Sequence, residues 1–335
     1  MRYLLMFSAL LLVMLIGLRF LDEPQGTLPF EVGRVIILSG GRMGSPFSEA
    51  VMAGAERAER DLGCEINIVC TNWDPEIAAI RFQEEMAGVP DGICIVGDSE
   101  NSALLPLIEN ALDEGIAVTS YQRAIPEALS RLSSQGYGFA GPDFFKAGQE
   151  LIAAAVEKHK LSAGALVLLV NDPRQNEADG LFGGAMAAME SYGLAIESVD
   201  IDMGDPESTG KALGPRLREL DKNGKLPALL CSLNAPLESC ITTLNFMEIE
   251  PETLPLVGVG VGTEMLSVLR SGKTNLSIMI DQDLPLQAYL AVLQACTNKK
   301  YAAVGLRLFT PYTIEGREKP EDATGEKDSH FVQRF

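Results

Sequence analysis

Short apolar runs alternate with segments of amphipathic helical spacing from residue 34 to about residue 300. The first run, residues 35–38, contains no polar residue, which is typical of a strand covered on both faces in a parallel sheet. A helical segment follows that Ser45 can cap and Gly63 can end. The apolar residues on one face of that segment are Phe47, Val51, Ala55, Ala58 and Leu62. This stretch predicts a βα unit, and open α/β sheets bind ligands in the loop after such a strand.

The same alternation predicts the rest of the chain. We expect further strands at 65–70, 92–96, 116–121, 137–140, 165–170, 196–200, 227–232, 254–259 and 277–280. The helix after the second strand is expected to start at Asp74 and Pro75, with Ile77, Ile80 and Met86 on its inner side. A loop is expected around residue 126. Strands that alternate with helices at this spacing predict an α/β protein with two similar, doubly wound parallel-sheet lobes.

Composition and charge narrow the classes of partner. The 335 residues are 47% hydrophobic, which is enough for two folded domains. A formal net charge of −19 argues against nucleic acid or an anionic membrane surface as the main partner, because both attract basic patches. A small neutral ligand, or a protein with a basic docking face, fits this charge better.

The N-terminal segment resembles an export signal. Residues 3–18 are uncharged and almost wholly apolar, and they lie between Arg2 and Arg19. We interpret residues 1–25 as a secretory signal peptide or, alternatively, as an uncleaved membrane anchor. The protein is therefore expected to be periplasmic or otherwise extracytoplasmic, with membrane contact only through this segment if it is retained.

The sequence carries no motif for a metal, a cofactor or a catalytic nucleophile. It has six cysteines and two histidines, without a CxxC pair or a Cys/His cluster, so we expect no metal site. Ser39 occupies the first glycine position of a dinucleotide fingerprint, and no phosphate-binding loop is present. Export permits disulfides without requiring them. Cys94 and Cys231 lie in apolar runs and are interpreted as buried thiols.

Four fragments in this order resemble the type I periplasmic substrate-binding proteins of the ribose and galactose branch, whose fold is shared by the sensory domain of LacI-type repressors. They are SPFSEAVMAGAERAERDLG (45–63), PDGICIVGDSENSALLPLIENALDEGIAVTSYQR (90–123), GPDFFKAG (141–148) and DQDLPLQAYLAVL (281–293). The resemblance implies a hinge of three crossovers, near Ala140, at Asp281–Gln282 and near Lys300. It also implies a first lobe of residues 32–140 plus 282–300, a second of 141–281 plus 301–316, and a polar tail of 317–335.

The resemblance places ligand-binding residues in the first loop. The family's asparagine, proline and two aromatic residues correspond here to Ser45, Pro46, Phe47 and Ser48. Phe47 is thus a candidate for stacking on a ligand and Ser45 for hydrogen bonding, although Phe47 equally fits the core face of its helix. Trp73, after the second strand, can supply the missing aromatic ring or pack against the next helix.

Further candidates follow the later strands. Gln122 and Arg123 stand where the family often has Asp-Arg. Arg123 is the strongest candidate because a guanidinium can hold two neighbouring hydroxyls; the alternative is an exposed loop arginine. Gln282 matches the family's hinge glutamine, and Asn234 replaces a family aspartate.

The second lobe departs from the family pattern. The helix-opening arginine falls at Gly180 or Leu181, and Gly260 replaces a further aspartate. Because a charged hydrogen bond contributes about 1.5–3 kcal/mol, these losses indicate a ligand other than the usual pentose. Polar residues that could substitute are Asn171, Asp172, Asn176 and Glu177.

We therefore expect an extracytoplasmic solute-binding protein, without enzyme activity, that closes two lobes around a small carbohydrate-like ligand. Its expected partner is an ABC permease. The alternative is a membrane-tethered ligand sensor that acts on a histidine kinase or another signalling receptor. An enzyme of the same fold is a third class, which turnover of the ligand would reveal.

Overall fold

A computed structural model describes residues 33–97, 103–173, 180–202, 205, 207–233, 237–301, 305–310, 312–316 and 332–334. The described strands are β1 Arg34–Ser39, β2 Glu65–Cys70, β3 Gly92–Val96, β4 Ala117–Tyr121, β5 Gly138–Gly141, β6 Leu166–Asn171, β7 Ala195–Asp200, β8 Leu229–Ser232, β9 Leu256–Gly260, β10 Leu276–Gln282, β11 Arg307–Phe309, β12 Tyr312–Gly316 and β13 Val332–Arg334. The α-helices are α1 Pro46–Leu62, α2 Pro75–Met86, α3 Leu104–Asp113, α4 Pro126–Leu132, α5 Phe144–His159, α6 Gly180–Ser191, α7 Ser208–Lys222, α8 Leu237–Phe246, α9 Gly262–Ser271 and α10 Leu284–Tyr301.

The strands form two sheets, which we call sheet 1 and sheet 2. Sheet 1 has the order β11-β5-β4-β3-β1-β2, and its pairs are parallel. Sheet 2 has the order β13-β12-β10-β9-β8-β6-β7, and it is parallel except where β12 pairs with β10 and β13. The predicted fold class, two doubly wound α/β lobes, is confirmed.

Both faces of each sheet are covered, which explains the apolar runs. In β1, Val35 and Ile37 pack against α1 and α10, whereas Ile36 and Leu38 pack on the other face among residues of α2, α3 and α4. Sheet 2 is covered by α5 and α6 on one face and by α7, α8 and α9 on the other. We call sheet 1 with its helices lobe 1, and sheet 2 with its helices lobe 2.

The helix ends follow the predicted capping chemistry. Ser45 caps α1 in an extended conformation, Pro46 is the first helical residue, and Gly63 ends the helix with a left-handed φ of 70°. Asp74 accepts hydrogen bonds from the first backbone N–H groups of α2, as its sequence position indicated. These ends fix where the loops after β1 and β2 stop.

Three connections join the lobes, and all three lie at the carboxyl ends of strands. They run from β5 to α5, from β10 to α10 and from β11 to β12. The first two lie close to the expected positions. The third lies after Phe309, beyond the expected position near Lys300, because α10 continues to Tyr301 and β11 then pairs with β5 in sheet 1.

Other local differences from the sequence predictions have physical causes. Residues 126–132 form helix α4 rather than a loop, since Pro126 occupies its first turn and Ala128 and Leu132 are buried. In α2 the buried residue is Phe82, whereas Ile80, expected on the inner side, is 56% exposed. Within the predicted polar tail, Val332–Arg334 adds a strand to the edge of sheet 2.

The two helices on one face of sheet 2 meet through glycines. A Cβ atom placed on Gly184 of α6 would overlap the carbonyl oxygen of Phe145 in α5, and one on Gly148 would overlap that of Leu181. For Gly183, which directly precedes Gly184 in α6, the atoms nearest to such a Cβ are 3.7 Å away. The approach of α5 and α6 therefore depends on particular glycines rather than on a glycine-rich segment as a whole.

The predicted signal or anchor, residues 1–25, lies outside the described residues. Within the part of the chain that the structure describes, no helix has the length and apolar character needed to cross a membrane.

Candidate functional site

The carboxyl edges of the two sheets border one cleft. In sheet 1 the strand ends are aligned, since Ser39 pairs with Cys70 and Val96 with Tyr121. All three crossings join this edge to the carboxyl edge of sheet 2, so the loops after the strands of both sheets face the same space. Val261, between β9 and α9 of lobe 2, packs against the core of lobe 1. The lobes therefore approach each other closely at these loops.

The first loop is held by serine hydroxyls. Ser45 Oγ accepts a hydrogen bond from the Ser48 backbone N–H at 3.3 Å and contacts Ser48 Oγ at 3.3 Å. Ser48 Oγ in turn lies 3.1 Å from Ser39 Oγ at the end of β1. Ser45 thus has a structural role as a helix cap, and its role toward a ligand stays a prediction.

Phe47 and Trp73, predicted separately, are in contact. Their ring centroids are 4.7 Å apart in an edge-to-face arrangement with a 66° interplanar angle. Trp73 and the preceding Asn72 both have left-handed backbone conformations, with φ values of 59° and 56°. The Trp73 N–H donates to Gly40 O at 2.5 Å, and the indole ring covers Gly40. Non-glycine residues seldom keep such conformations unless their surroundings impose them, and they are concentrated at functional sites.

Trp73 and Arg123 line the same small cavity. It has a volume of about 30 Å³ and is also bordered by Gly40, Thr71 and Gly97. Ligand pockets usually measure about 300–1,000 Å³, so this cavity is too small for a sugar as it stands. The structure brings these two predicted residues together, and a ligand could occupy the space only after Trp73 or one of the lobes moves.

Two predicted glutamines lie at or beside the crossings. Gln122 is 6% exposed, has a φ of 64°, and its Oε1 has no hydrogen-bond partner among the described residues. Its backbone N–H donates to Ala140 O in β5. Gln282, at the end of β10, is 3% exposed, and its Oε1 accepts from Gln287 Nε2 at 3.3 Å. Gln282 is thus buried at the second crossing, and Gln122, which follows β4, is buried beside the first.

Lobe 2 contributes buried polar groups at the end of β6. Asn171 is 1% exposed, and its Oδ1 has no hydrogen-bond partner among the described residues. Asp172, the next residue, is fully buried. The predicted residues Asn176, Glu177 and Asn234 lie outside the described residues.

Residues 36–300 match the family model described as a periplasmic binding protein domain. The chain belongs to this family. The match covers most of both lobes and the first two crossings.

Solved structures of periplasmic binding proteins share the fold at low sequence identity. One is GanP, a glucose-galactose binding protein from Geobacillus stearothermophilus, with a TM-score of 0.70, 16% identity, and coverage of 85% of this chain and 98% of that one. Another is an ABC transporter periplasmic solute binding protein from Actinobacillus succinogenes with bound D-allose, with a TM-score of 0.70, 15% identity, and coverage of 87% and 100%. A third is the Caulobacter myo-inositol binding protein, with a TM-score of 0.67, 15% identity, and coverage of 87% and 95%. No curated protein matches the sequence.

In this periplasmic binding protein domain, three further residues near the crossings were not predicted from the sequence. Thr310 Oγ1 and Gln287 Oε1 are buried without a hydrogen-bond partner among the described residues. Phe145, in the first turn of α5, is an aromatic residue with 48% exposure. Each lies within a few residues of a crossing, and that position was the one available signal.

Charged groups at the second crossing raise one pKa. Burial and, to a smaller extent, the nearby carboxylates of Glu315 and Asp283 raise the pKa of Asp281 to about 6, against the opposing effect of Arg270. Among the described residues, no group of three or more His, Cys, Asp or Glu side chains is placed to hold a metal ion.

Proposed function

We propose that this protein is an extracytoplasmic solute-binding protein that closes its two lobes around a small, neutral, hydroxyl-rich ligand. The observation that carries the proposal is the set of buried acceptor oxygens that have no hydrogen-bond partner among the described residues and lie at the crossings and strand ends. They are Gln122 Oε1, Asn171 Oδ1, Gln287 Oε1 and Thr310 Oγ1.

Buried acceptors without a partner favour a ligand that brings donors. Leaving a buried polar atom without a hydrogen bond costs about 1–3 kcal/mol. A hydroxyl group can donate to such an atom without bringing a net charge into the buried site. Sugars and polyols carry several such hydroxyls. The aromatic pair Phe47–Trp73 supplies an apolar surface beside these groups, and Arg123 supplies planar donors for two neighbouring oxygens.

The comparisons support the same class of ligand. Two solved structures of the same fold are described with bound D-allose and bound myo-inositol, respectively. Both ligands are neutral molecules with many hydroxyl groups. The structure with D-allose is described as an ABC transporter periplasmic solute binding protein. We accordingly propose an ABC permease as the partner that receives the ligand.

The small cavity beside Trp73 implies that the lobes open before binding. We propose that the three crossings act as the hinge, with the loops at the strand ends separating as the lobes rotate. Small-angle scattering should then show that a saturating ligand compacts the protein.

The binding test can use the protein's own fluorescence, because Trp73 is its only tryptophan. A panel of pentoses, hexoses and inositols is titrated while emission and melting temperature are recorded, since a ligand of the folded state raises the melting temperature. We expect at least one member of the panel to change both. The proposal is contradicted if no neutral polyol alters either signal while a ligand of another class does.

Arg123→Ala then tests the binding mode. The lost charged hydrogen bonds, about 1.5–3 kcal/mol, should weaken affinity by roughly ten- to a hundredfold or more. Arg123→Lys should not restore affinity, because an ammonium lacks the planar fork. Arg81→Ala is the matched control, since Arg81 lies on α2 and pairs with Glu84 at the surface. Unchanged affinity in Arg123→Ala would place this residue outside the site.

A further inference from the structure

An exposed aromatic ring lies where the cleft borders lobe 2. Phe145 is in the first turn of α5 and is 48% exposed, whereas Phe144 beside it is 8% exposed and packs in the core of lobe 2. α5 starts directly after the first crossing, and α6 follows the carboxyl end of β6. The first turns of both helices therefore lie at the edge of sheet 2 that borders the cleft, and Phe145 lies there with them.

Glycines at the start of α6 leave this ring uncovered. A Cβ atom on Gly183 would lie 3.7 Å from two carbons of the Phe145 ring, and one on Gly180 would lie 3.2 Å from the Phe145 backbone nitrogen. A side chain at position 183 would thus rest against the ring and cover part of it. The glycines therefore keep the ring accessible from the cleft.

We call the first turns of these two helices, residues 144–147 and 180–183, the lobe 2 corner. Lys146 carries the one polar side chain of these eight residues, and it pairs with Glu150 at 3.4 Å. Asp143, the cap of α5, accepts a hydrogen bond from the Lys146 backbone N–H at 3.2 Å. The side chains of the corner therefore offer a ligand apolar surface, whereas the acceptor Asn171 Oδ1 lies at the end of β6.

On the basis of the proposed function, we propose that Phe145 selects a monodeoxy sugar as the ligand. The methyl or methylene group of that sugar lies against the ring, in the place where the parent sugar has a hydroxyl group. A hydroxyl group placed there would lose its water without gaining a partner, whereas a methyl or methylene group loses no hydrogen bond and gains contact with the ring.

The size of this selectivity follows from how much of the ligand the ring can cover. An apolar pocket discriminates against an added hydroxyl group by about a hundredfold. Phe145 supplies one wall of such a pocket rather than the whole of it. We therefore expect the monodeoxy sugar to bind about tenfold more tightly than its parent.

The test compares sugars that differ by one hydroxyl group. The pairs are D-galactose with D-fucose, L-mannose with L-rhamnose and D-ribose with deoxy-D-ribose, together with monodeoxy analogues of every other sugar that binds. Calorimetry on the full chain gives the affinity ratio within each pair. We expect at least one pair in which the monodeoxy sugar binds about tenfold more tightly.

Variants of Phe145 then show whether the ring causes the preference. Phe145→Ala should lower the affinity ratio to about twofold or less, and Phe145→Leu should keep most of it, because leucine is still apolar. Phe145→Gln should bring the ratio to about one or below, since its amide can bond to the hydroxyl group of the parent sugar. A merely structural role would weaken the binding of both sugars equally and leave the ratio unchanged.

Phe246→Ala is the matched control. Phe246 is also an exposed phenylalanine of lobe 2, with 83% exposure, but it is the last residue of α8 and therefore lies away from the carboxyl edge of the sheet. This variant should leave both affinities of each pair unchanged. Melting temperatures without ligand show that each variant is folded.

Two results would overturn the assignment of Phe145 while leaving the proposed function in place. One is a wild type that binds every parent sugar at least as tightly as its monodeoxy partner. The other is an affinity ratio that is the same in wild type and Phe145→Ala. If no sugar of any pair or of the wider panel binds, the proposed function fails as well, so the two failures are distinguishable.

Discussion

Replacing Gly40 by alanine tests whether Trp73 is held in place by the end of β1. A Cβ atom on Gly40 would overlap the Trp73 ring and lie 2.6 and 2.9 Å from two of its carbons. Carbon atoms in favourable contact are about 3.5–4.0 Å apart, so the ring must move by about 1 Å. Gly40 is not among the glycines with positive φ, so the expected effect is steric rather than conformational.

The size of the effect follows from how tightly Trp73 is held. Its ring meets Phe47, and its backbone N–H donates to Gly40 O, so it cannot shift without disturbing one of these contacts. Overpacking of this kind costs about 1–3 kcal/mol, which corresponds to a fall in melting temperature of about 2–10 °C. Because Trp73 is the only tryptophan, its emission spectrum should shift as well.

Two further variants separate this effect from a general cost of alanine. Gly210→Ala is the matched control, since the nearest atom to its Cβ is 3.7 Å away and no loss of stability is expected. In the double variant with Trp73→Ala, Gly40→Ala should add little further loss, because the overlapping ring is gone. A melting temperature within about 1 °C of wild type for Gly40→Ala, with unchanged emission, would refute the inferred contact.

Asp281→Asn should raise the melting temperature at about pH 8 and have little effect near pH 4. Burial and the neighbouring carboxylates raise the pKa of Asp281 to about 6, so the fold loses stability as this carboxyl ionises between these pH values. A pH-independent difference in calorimetry would contradict this cause. Gly184→Ala should destabilise the fold by about 1–3 kcal/mol in urea unfolding, since its Cβ overlaps the Phe145 carbonyl, whereas Gly183→Ala should not. Equal midpoints for these two variants would contradict the close packing of α5 on α6.

The sequence was most informative where apolar pattern and capping residues agree. The run 35–38 could be assigned to a two-sided strand, and Ser45 and Gly63 were correctly predicted as the caps of α1. The loop predicted around Pro126 was wrong, because proline fits both a turn and the first turn of a helix, and the burial of Ala128 and Leu132 decides between them. Burial depends on the neighbouring helix and is not visible locally.

Only part of the candidate site could be predicted from the sequence. Arg123 was selected from the family resemblance and Trp73 from its position after the second strand, and both border one cavity. The contact between Phe47 and Trp73 could not be predicted, because it depends on two successive left-handed residues, Asn72 and Trp73. Thr310 was missed for a different reason: it follows β11, a three-residue strand too short to leave a periodic pattern.

The late return of the chain to lobe 1 has a consequence for synthesis. Phe139 of β5 pairs with Arg307 of β11, and α10 places Ala288, Ala291 and Val292 in the core of lobe 1. A nascent chain that has not reached residue 284 therefore exposes the apolar face that α10 later covers, although most of sheet 1 has already been made. Contacts of such large sequence separation slow folding and prolong the exposure of apolar surface.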